Sequence, residues 1–524
     1  MTRSRWTCFL LVVLSLLVTR LPLLWEPLIH VDEAIFSIFA EIWQRGGIPY
    51  VDIIETKPMG IYYFYVLASW LSGSLPKINM ISVHVLTIVW TLLTAATLGM
   101  IATRLRSSQA GFIAALFFVV FSGSFSPKIV STSLEVVLIL PATLAFFFLS
   151  PPISRLSLWH TVVAGLLSSS ALLVKQQGGI LIPVALFYLA VYLPWVEPEW
   201  RWKRAIQHSL TFLLASLPLP CLMMGQLYPA SLDGFLFWNF QGSWNLIRGG
   251  QEMISLGHKF LTRIFPFLLS TAILWFLVGE RFYQRISKKL HATPQETLLR
   301  IWLFLTFFAV AAGKKFYEHY FVLLFPPLSL LAAIALDSWS PERKQRFKKV
   351  IMIAILAPFL GFSLARYFIH PLFSYFKQED MISYKIYGDY LRERTEPDDK
   401  ILVWGFAPAV YWYADRLPAT RFVLSDYLVG RVPGALEGPT QIERSERFVM
   451  PEAWEMLMAD LHKHPPAYIM DTAPTGLHGY SRFPIRNYPR LMQFILQYYV
   501  EEPPFSGALV WKRKHLDNPL RGGV

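Results

Sequence analysis

Cysteine is nearly absent from the 524 residues: Cys8 and Cys221 are the only two. They fall near opposite ends of separate apolar segments, most of a bilayer apart, so neither a disulfide nor a cysteine-ligated metal is expected. Charge is equally scarce, at 16% Asp, Glu, Lys and Arg. A water-soluble surface cannot be covered with so little of it. No glycine-rich phosphate loop is present, which disfavours a nucleotide-sugar donor used on the cytoplasmic side. No internal repeat marks the chain as a secondary transporter, and no His/Cys cluster has the spacing of a metal site. The basic, apolar N-terminus lacks a small-x-small cleavage site and is too long for a signal-peptide core, so it reads as a retained first helix.

Apolar residues are abundant instead, at 54% of the chain with 15% aromatic. A helix rises 1.5 Å per residue and must cross about 30 Å of hydrocarbon, so spans of about 20 apolar residues are sought. They occur near 7–25, 79–103, 109–125, 134–150, 158–174, 179–195, 206–224, 262–279, 299–313, 319–336 and 349–368, with 58–73 as a rival for one more. The fold class that follows is an α-helical polytopic membrane protein. Lys and Arg orient it: with the N-terminus cytoplasmic, Arg3, Arg5, Arg104, Arg106, Arg155, Arg201, Lys203, Arg204, Arg281, Arg285, Arg343 and Lys344 all fall inside. The net charge of +13 is thereby a membrane-surface property, and no nucleic-acid partner is needed to explain it. An odd number of spans puts the C-terminal region outside, with the first loop.

That first loop, about 26–78, opens on Asp32-Glu33 and continues to Glu55-Thr56-Lys57-Pro58. Ile35, Phe36, Ile38, Phe39, Ile42 and Trp43 make one apolar helical face, capped by Asp32 and ended by Gly46-Gly47. A second interfacial helix is predicted from Pro58 to near Gly73. A helix cap alone would account for Asp32. Glu33 beside it argues for a cavity, because two carboxylates at the membrane edge are costly unless they face one.

Later outer loops carry complementary groups: Glu135 starting the fourth span, Lys175 ending the fifth, and Lys314-Lys315-Phe316-Tyr317-Glu318-His319-Tyr320 before the tenth. Each has a plainer reading. Glu135 complements a helix N-terminus, Lys175 snorkels, and the aromatic-basic run is an interfacial belt. One pocket explains all of them together.

Cations and carboxylates at the outer membrane edge suit a lipid that anchors in the bilayer and projects a phosphate-linked group into water. A polyprenyl-phosphate sugar has that chemistry. A carboxylate deprotonates the acceptor hydroxyl, and Lys or His stabilises the departing phosphate. A flippase or transporter of lipid-linked sugars is the alternative; charges confined to one face rather than strung through the bilayer count against it. An oxygen-ligated divalent cation at Asp32, Glu33 and Glu135 stays open. So does the acceptor, whether a protein hydroxyl, a glycolipid or a polysaccharide. Trp238, Asn239, Trp244 and Asn245 in the loop 225–260 suit sugar contacts and equally suit interfacial anchoring.

The ordered elements Val31-Asp32-Glu33-Ala34, Gly47-Ile48-Pro49, Lys57-Pro58-Met59, Ser133-Leu134-Glu135, Val174-Lys175 and His319-Tyr320-Phe321 with Pro326-Pro327 resemble the bacterial dolichyl-phosphate-mannose-protein mannosyltransferase-like proteins. These belong to the GT-C superfamily, which also holds the lipid A aminoarabinose transferases. The resemblance covers roughly residues 5–370. It implies a GT-C catalytic domain of about 11–13 transmembrane helices over 1–372, in a bacterial inner membrane. It also implies Asp32 as catalytic base, Glu33 as an organiser of the site, and Glu135 at a second acidic position where relatives often have aspartate. Lys57, Lys175, His319 and Tyr320 would lie near the donor phosphate, with Lys314 and Lys315 sharing its charge. Transfer would invert the anomeric centre.

From about 373 the chain becomes more charged and its patterns shorten, as in an extracytoplasmic α/β domain over 373–524. Strands are predicted at 400–405, 468–471 and 508–511, and helices at 379–395, 451–463 and 488–499. Tyr411-Trp412-Tyr413 reads as core packing in preference to a sugar platform. His462-Lys463-His464 reads as a solvated helix end.

Overall fold

A computed structural model describes all residues except 1–2, 125–129, 243, 245–255, 288–291, 313–314, 365–378, 432–445 and 515–524. Lys314 and Asn245, and the expected boundary at 372–373, lie outside the described residues.

Each of the eleven expected spans corresponds to helix. Among the described residues five helices are long and apolar enough to cross a membrane: Met80–Leu105, Gln176–Val196, Trp202–Leu227, Glu318–Asp337 and Pro341–Leu364. Shorter apolar helices include Trp6–Arg20, Ser108–Phe121, Leu134–Leu149 and Leu158–Val174, and Pro294–Ala311 fills the ninth position. The protein is a multi-pass membrane protein. The eighth span departs from expectation, for it is a pair, Gly257–Ser270 and Ala272–Ser287, bent by 70°. At the break Thr271 turns its hydroxyl back onto the Phe267 carbonyl, 2.6 Å away, and its φ of −109° and ψ of 13° leave the helical region.

Burial sorts the helices by position. The window of Glu318–Asp337 is 89% buried and that of Pro341–Leu364 only 6%, so the first is the bundle's centre and the second presents its sides to lipid. Pro326 and Pro327 stand in the first turn of Phe325–Asp337, where a missing N–H costs no hydrogen bond. Seven residues of 3-10 turn, Glu318–Leu324, precede it and carry the aromatic-basic run to the end of the bundle.

Two helices follow the first span, as expected, over Val31–Gln44 and Gly60–Leu71. Phe39 and Tyr62 stack between them at 3.7 Å. Gly60 fixes the second helix against the bundle: a Cβ there would sit 2.6 Å from the Leu173 carbonyl oxygen and the Val174 nitrogen. Only glycine permits this approach. It brings the segment carrying Lys57 beside the helix that ends at Lys175.

The C-terminal unit holds a four-stranded sheet: β1 (Ile401–Trp404), β2 (Tyr468–Asp471), β3 (Tyr499–Phe505) and β4 (Ala508–Arg513), ordered β1-β2-β4-β3. β1 and β2 are parallel and the other pairs antiparallel. Helices Glu379–Arg392, Pro451–Lys463 and Pro489–Tyr498 accompany it. β3 corrects the expected helix end at 499. Its Pro503 and Pro504 suit the sheet edge, where absent donors break no ladder. Tyr411 is buried, its hydroxyl accepting from Val403 N at 2.8 Å, and His462 packs edge-on against Phe494.

This unit is fastened onto the loop end of the bundle. Ile54 N donates to Arg421 O at 3.0 Å, Lys77 pairs with Asp415 at 2.6 Å, and the helix Pro408–Ala414 packs on Val31–Gln44.

Candidate active site

A cavity of about 420 Å³ lies between the first loop, the turn 315–320 and the C-terminal unit. Asp32, Lys57, Lys175, Lys315, His319 and Tyr320 all line it. Residues nearly three hundred positions apart are thereby brought around one headgroup-sized space.

The acidic pair divides into two roles. The N-cap of Val31–Gln44 is His30, not Asp32: the His30 Nδ1 accepts from Asp32 N at 3.3 Å. Asp32 therefore does not cap the helix; its carboxylate lies 3.3 Å from His30 and is one-third exposed in the cavity wall. Glu33 is 1% exposed and does not line the cavity. One of its oxygens accepts from Ile29 N at 2.7 Å and the other from Thr132 N at 2.7 Å, with His84 Nε2 3.2 Å away. His84 in turn reaches the Leu23 carbonyl at 2.6 Å. Glu33 therefore ties the loop before the helix to two spans and positions Asp32. Buried behind the cavity wall, Glu33 is not placed to meet a substrate there as Asp32 is.

Glu135 behaves similarly. Ser133 caps its helix, and the carboxylate, 0% exposed, forms an ion pair with Lys175. Lys175 caps the fifth span in extended backbone conformation and holds its ammonium 3.9 Å from the centre of the Tyr320 ring. Tyr320 stands perpendicular to His319, and His319 lies 6.3 Å from His30. Lys175 thus reaches the cavity with its charge steadied by Glu135, which lies behind it. The divalent-cation reading at Asp32, Glu33 and Glu135 is corrected by this placement: Glu33 and Glu135 are each engaged elsewhere, and no group of three or more His, Cys, Asp or Glu side chains fit to hold a metal occurs among the described residues.

Lys57 donates to Thr56 Oγ1 at 2.6 Å and Glu55 at 3.3 Å. Lys315 is a different kind of cation. No carboxylate lies within ion-pair distance of it among the described residues. Burial first, then the neighbouring Lys57 charge, push its ammonium down to about 8. Below that pH the cavity holds the cation; above it the charge is lost. An activity that needs an anion there should fall as pH rises through about 8 in donor kcat/KM. Lys315→Arg, which stays charged, should move that limb upward; an unmoved limb would assign it to another group.

Trp238 and Asn239 do not line the cavity. Trp238 is buried against Phe422 and Tyr427, and Asn239 Oδ1 accepts from Gln176 at 3.3 Å. Trp238 braces the loop against the C-terminal unit, and Asn239 ties it to the turn after the fifth span. Trp244 is 60% exposed and likewise does not line the cavity, so none of the three is placed to contact a sugar held there.

The sequence reading passed over several wall residues. Arg263 lines the cavity, donates to the Lys315 carbonyl and lies 4.9 Å from the Tyr317 ring centre. An arginine inside the apolar run 260–270 is a signal that a charge-in-membrane argument finds. Asp426, Arg431 and His478 come from the C-terminal unit. Arg431 approaches Asp426 at 3.4 Å and Tyr480 donates to it at 2.5 Å; burial raises the Asp426 carboxyl despite Arg431.

No protein-family model matches the chain, and no curated protein does. Solved structures do. ArnT from Cupriavidus metallidurans bound to undecaprenyl phosphate matches with TM-score 0.64 and 15% identity over 97% of this chain and 98% of that one. The same protein in the apo state gives 0.61 and 14% over the same shares. The archaeal oligosaccharyltransferase AglB from Archaeoglobus fulgidus, in complex with an inhibitory peptide and a dolichol-phosphate, gives 0.54 and 13% over 99% of this chain and 75% of that one. The chain shares its fold with these structures along nearly its whole length.

Proposed function

We propose that the protein is an inverting glycosyltransferase that moves a sugar from a polyprenyl-phosphate donor to a hydroxyl acceptor at the outer face of a bacterial plasma membrane. One observation carries this reading: Asp32 and the cations Lys57, Lys175, Arg263 and Lys315 face a single cavity at one end of a membrane bundle. A donor anchored in lipid presents its phosphate to those cations and its anomeric carbon toward Asp32. The Asp32 carboxylate takes the acceptor hydroxyl proton, and the acceptor oxygen forms its bond to the anomeric carbon. The carbon–oxygen bond to phosphate breaks with its electron pair leaving on the phosphate, which the cations stabilise. Only one carboxylate needs to act, in keeping with Glu33 and Glu135 being buried and engaged. The basic loops favour a cytoplasmic N-terminus, and the loop and C-terminal unit then face outward.

The purified full-length protein in membranes from its deletion strain, given labelled polyprenyl-phosphate sugars, is the test. Transfer with the opposite anomeric configuration supports the reading. Retention of configuration, or turnover of a nucleotide sugar without lipid carrier, would overturn it.

A further inference from the structure

A second cavity lies at the other end of the same bundle. Helix Pro294–Ala311 runs from Glu296 toward the turn that carries Lys315, so the stretch from Glu296 to the helix end covers about 22 Å. The cavity has a volume of about 460 Å³ and sits between Ala272–Ser287, Pro294–Ala311 and Phe325–Asp337. That size falls within the ~300–1,000 Å³ of small-ligand pockets.

Its walls differ from those of the candidate active site. Phe282, Phe304 and Phe307 line it and are about half exposed or more, on a bundle whose sides face lipid. One end is basic. Arg281 and Arg300 both line the cavity, and both bind the buried carboxylate of Glu296, at 3.1 Å each. Arg285 takes the same carboxylate. Three guanidiniums on one carboxylate leave the cluster positive and steer its side chains into fixed positions.

We propose that this cavity binds an anionic diacyl phospholipid, its phosphate on Arg281 and Arg300 and an acyl chain along Phe304 and Phe307. The polarity runs the right way: a planar donor fork suited to a phosphate diester at one end, continuous apolar surface beyond it, and a place at the hydrocarbon boundary. A zwitterionic lipid brings its own cation to the arginines and is disfavoured. The Glu296 carboxylate keeps the guanidiniums aligned without neutralising them.

Gly279 lines the cavity, and a Cβ built there meets nothing within 4 Å. Gly279→Leu therefore fills the space while leaving every arginine in place. The full-length protein is reconstituted in vesicles of equal phosphatidylglycerol and phosphatidylcholine and released gently for native mass spectrometry. The expected result is one retained phosphatidylglycerol, reduced at least fivefold by Gly279→Leu and by Arg300→Gln. Arg343→Gln, whose partner is Glu280 outside the cavity, should not reduce it. Equal retention of both lipids overturns the proposal, as does preferential retention of added polyprenyl phosphate or undiminished retention in Arg300→Gln. Melting temperatures of the variants identify a folding defect in Gly279→Leu, and Arg300→Gln then decides.

Discussion

Asp32→Asn lowers transfer by about 10²–10⁴-fold, the usual contribution of a positioned general base, while leaving polyprenyl-phosphate binding within a small factor of wild type. The carboxamide keeps the shape of the side chain, and His30, not Asp32, caps the helix, so the fold should tolerate the change. What disappears is the proton acceptor. Glu33 cannot substitute, because Ile29 N, Thr132 N and His84 occupy its oxygens. The measurement is initial-rate transfer beside equilibrium binding of the lipid phosphate. A variant that keeps its rate would remove Asp32 from the chemistry, and one that loses binding equally would make it a donor-site residue.

The second large effect concerns Lys175. Lys175→Met leaves the Glu135 carboxylate, 0% exposed, without its cation. Removing one member of a buried ion pair costs about 3–5 kcal/mol, whereas replacing both with apolar residues costs little. The single variant should therefore melt well below wild type in detergent. Lys175→Met with Glu135→Leu should recover most of that loss and still fail to transfer, since the cavity has lost a cation. Full activity in the stable double variant would make the pair purely structural. An unchanged melting temperature in the single variant would mean that Glu135 finds another partner.

Much of the fold was legible because hydrocarbon thickness dictates span length, and each of the eleven apolar segments became helix. The eighth did not stay straight, and nothing in the apolar count around Thr271 distinguishes a bend from a span. In the C-terminal unit β1, β2 and β4 were readable as short apolar runs. β3 was hidden because Glu501, Glu502, Pro503 and Pro504 make an unlikely strand anywhere but an edge.

The site was legible in part, and for a physical reason. Asp32, Lys57, Lys175 and His319 stand out because charge beside apolar segments needs a cause. Burial could not be read from the pattern, which put both carboxylates at a cavity, although Asp32 faces it and Glu33 is sealed behind it. Trp238 and Asn239 looked like sugar contacts because aromatic and amide side chains serve a sugar or a domain interface equally well. Asp426, Arg431 and His478 carried no signal: only the docking of the C-terminal unit over the first loop brings them to the cavity.

The central claim is that one headgroup-sized hollow joins a carboxylate from the first loop to cations from later ones. A structure of the full chain in a lipid nanodisc with bound polyprenyl phosphate tests it most directly. The account predicts the phosphate within hydrogen-bonding distance of two or more of Lys57, Lys175, Arg263 and Lys315, with Asp32 facing the open side. A phosphate seated at the opposite end of the bundle, or one with Asp32 turned away from it, would contradict the account.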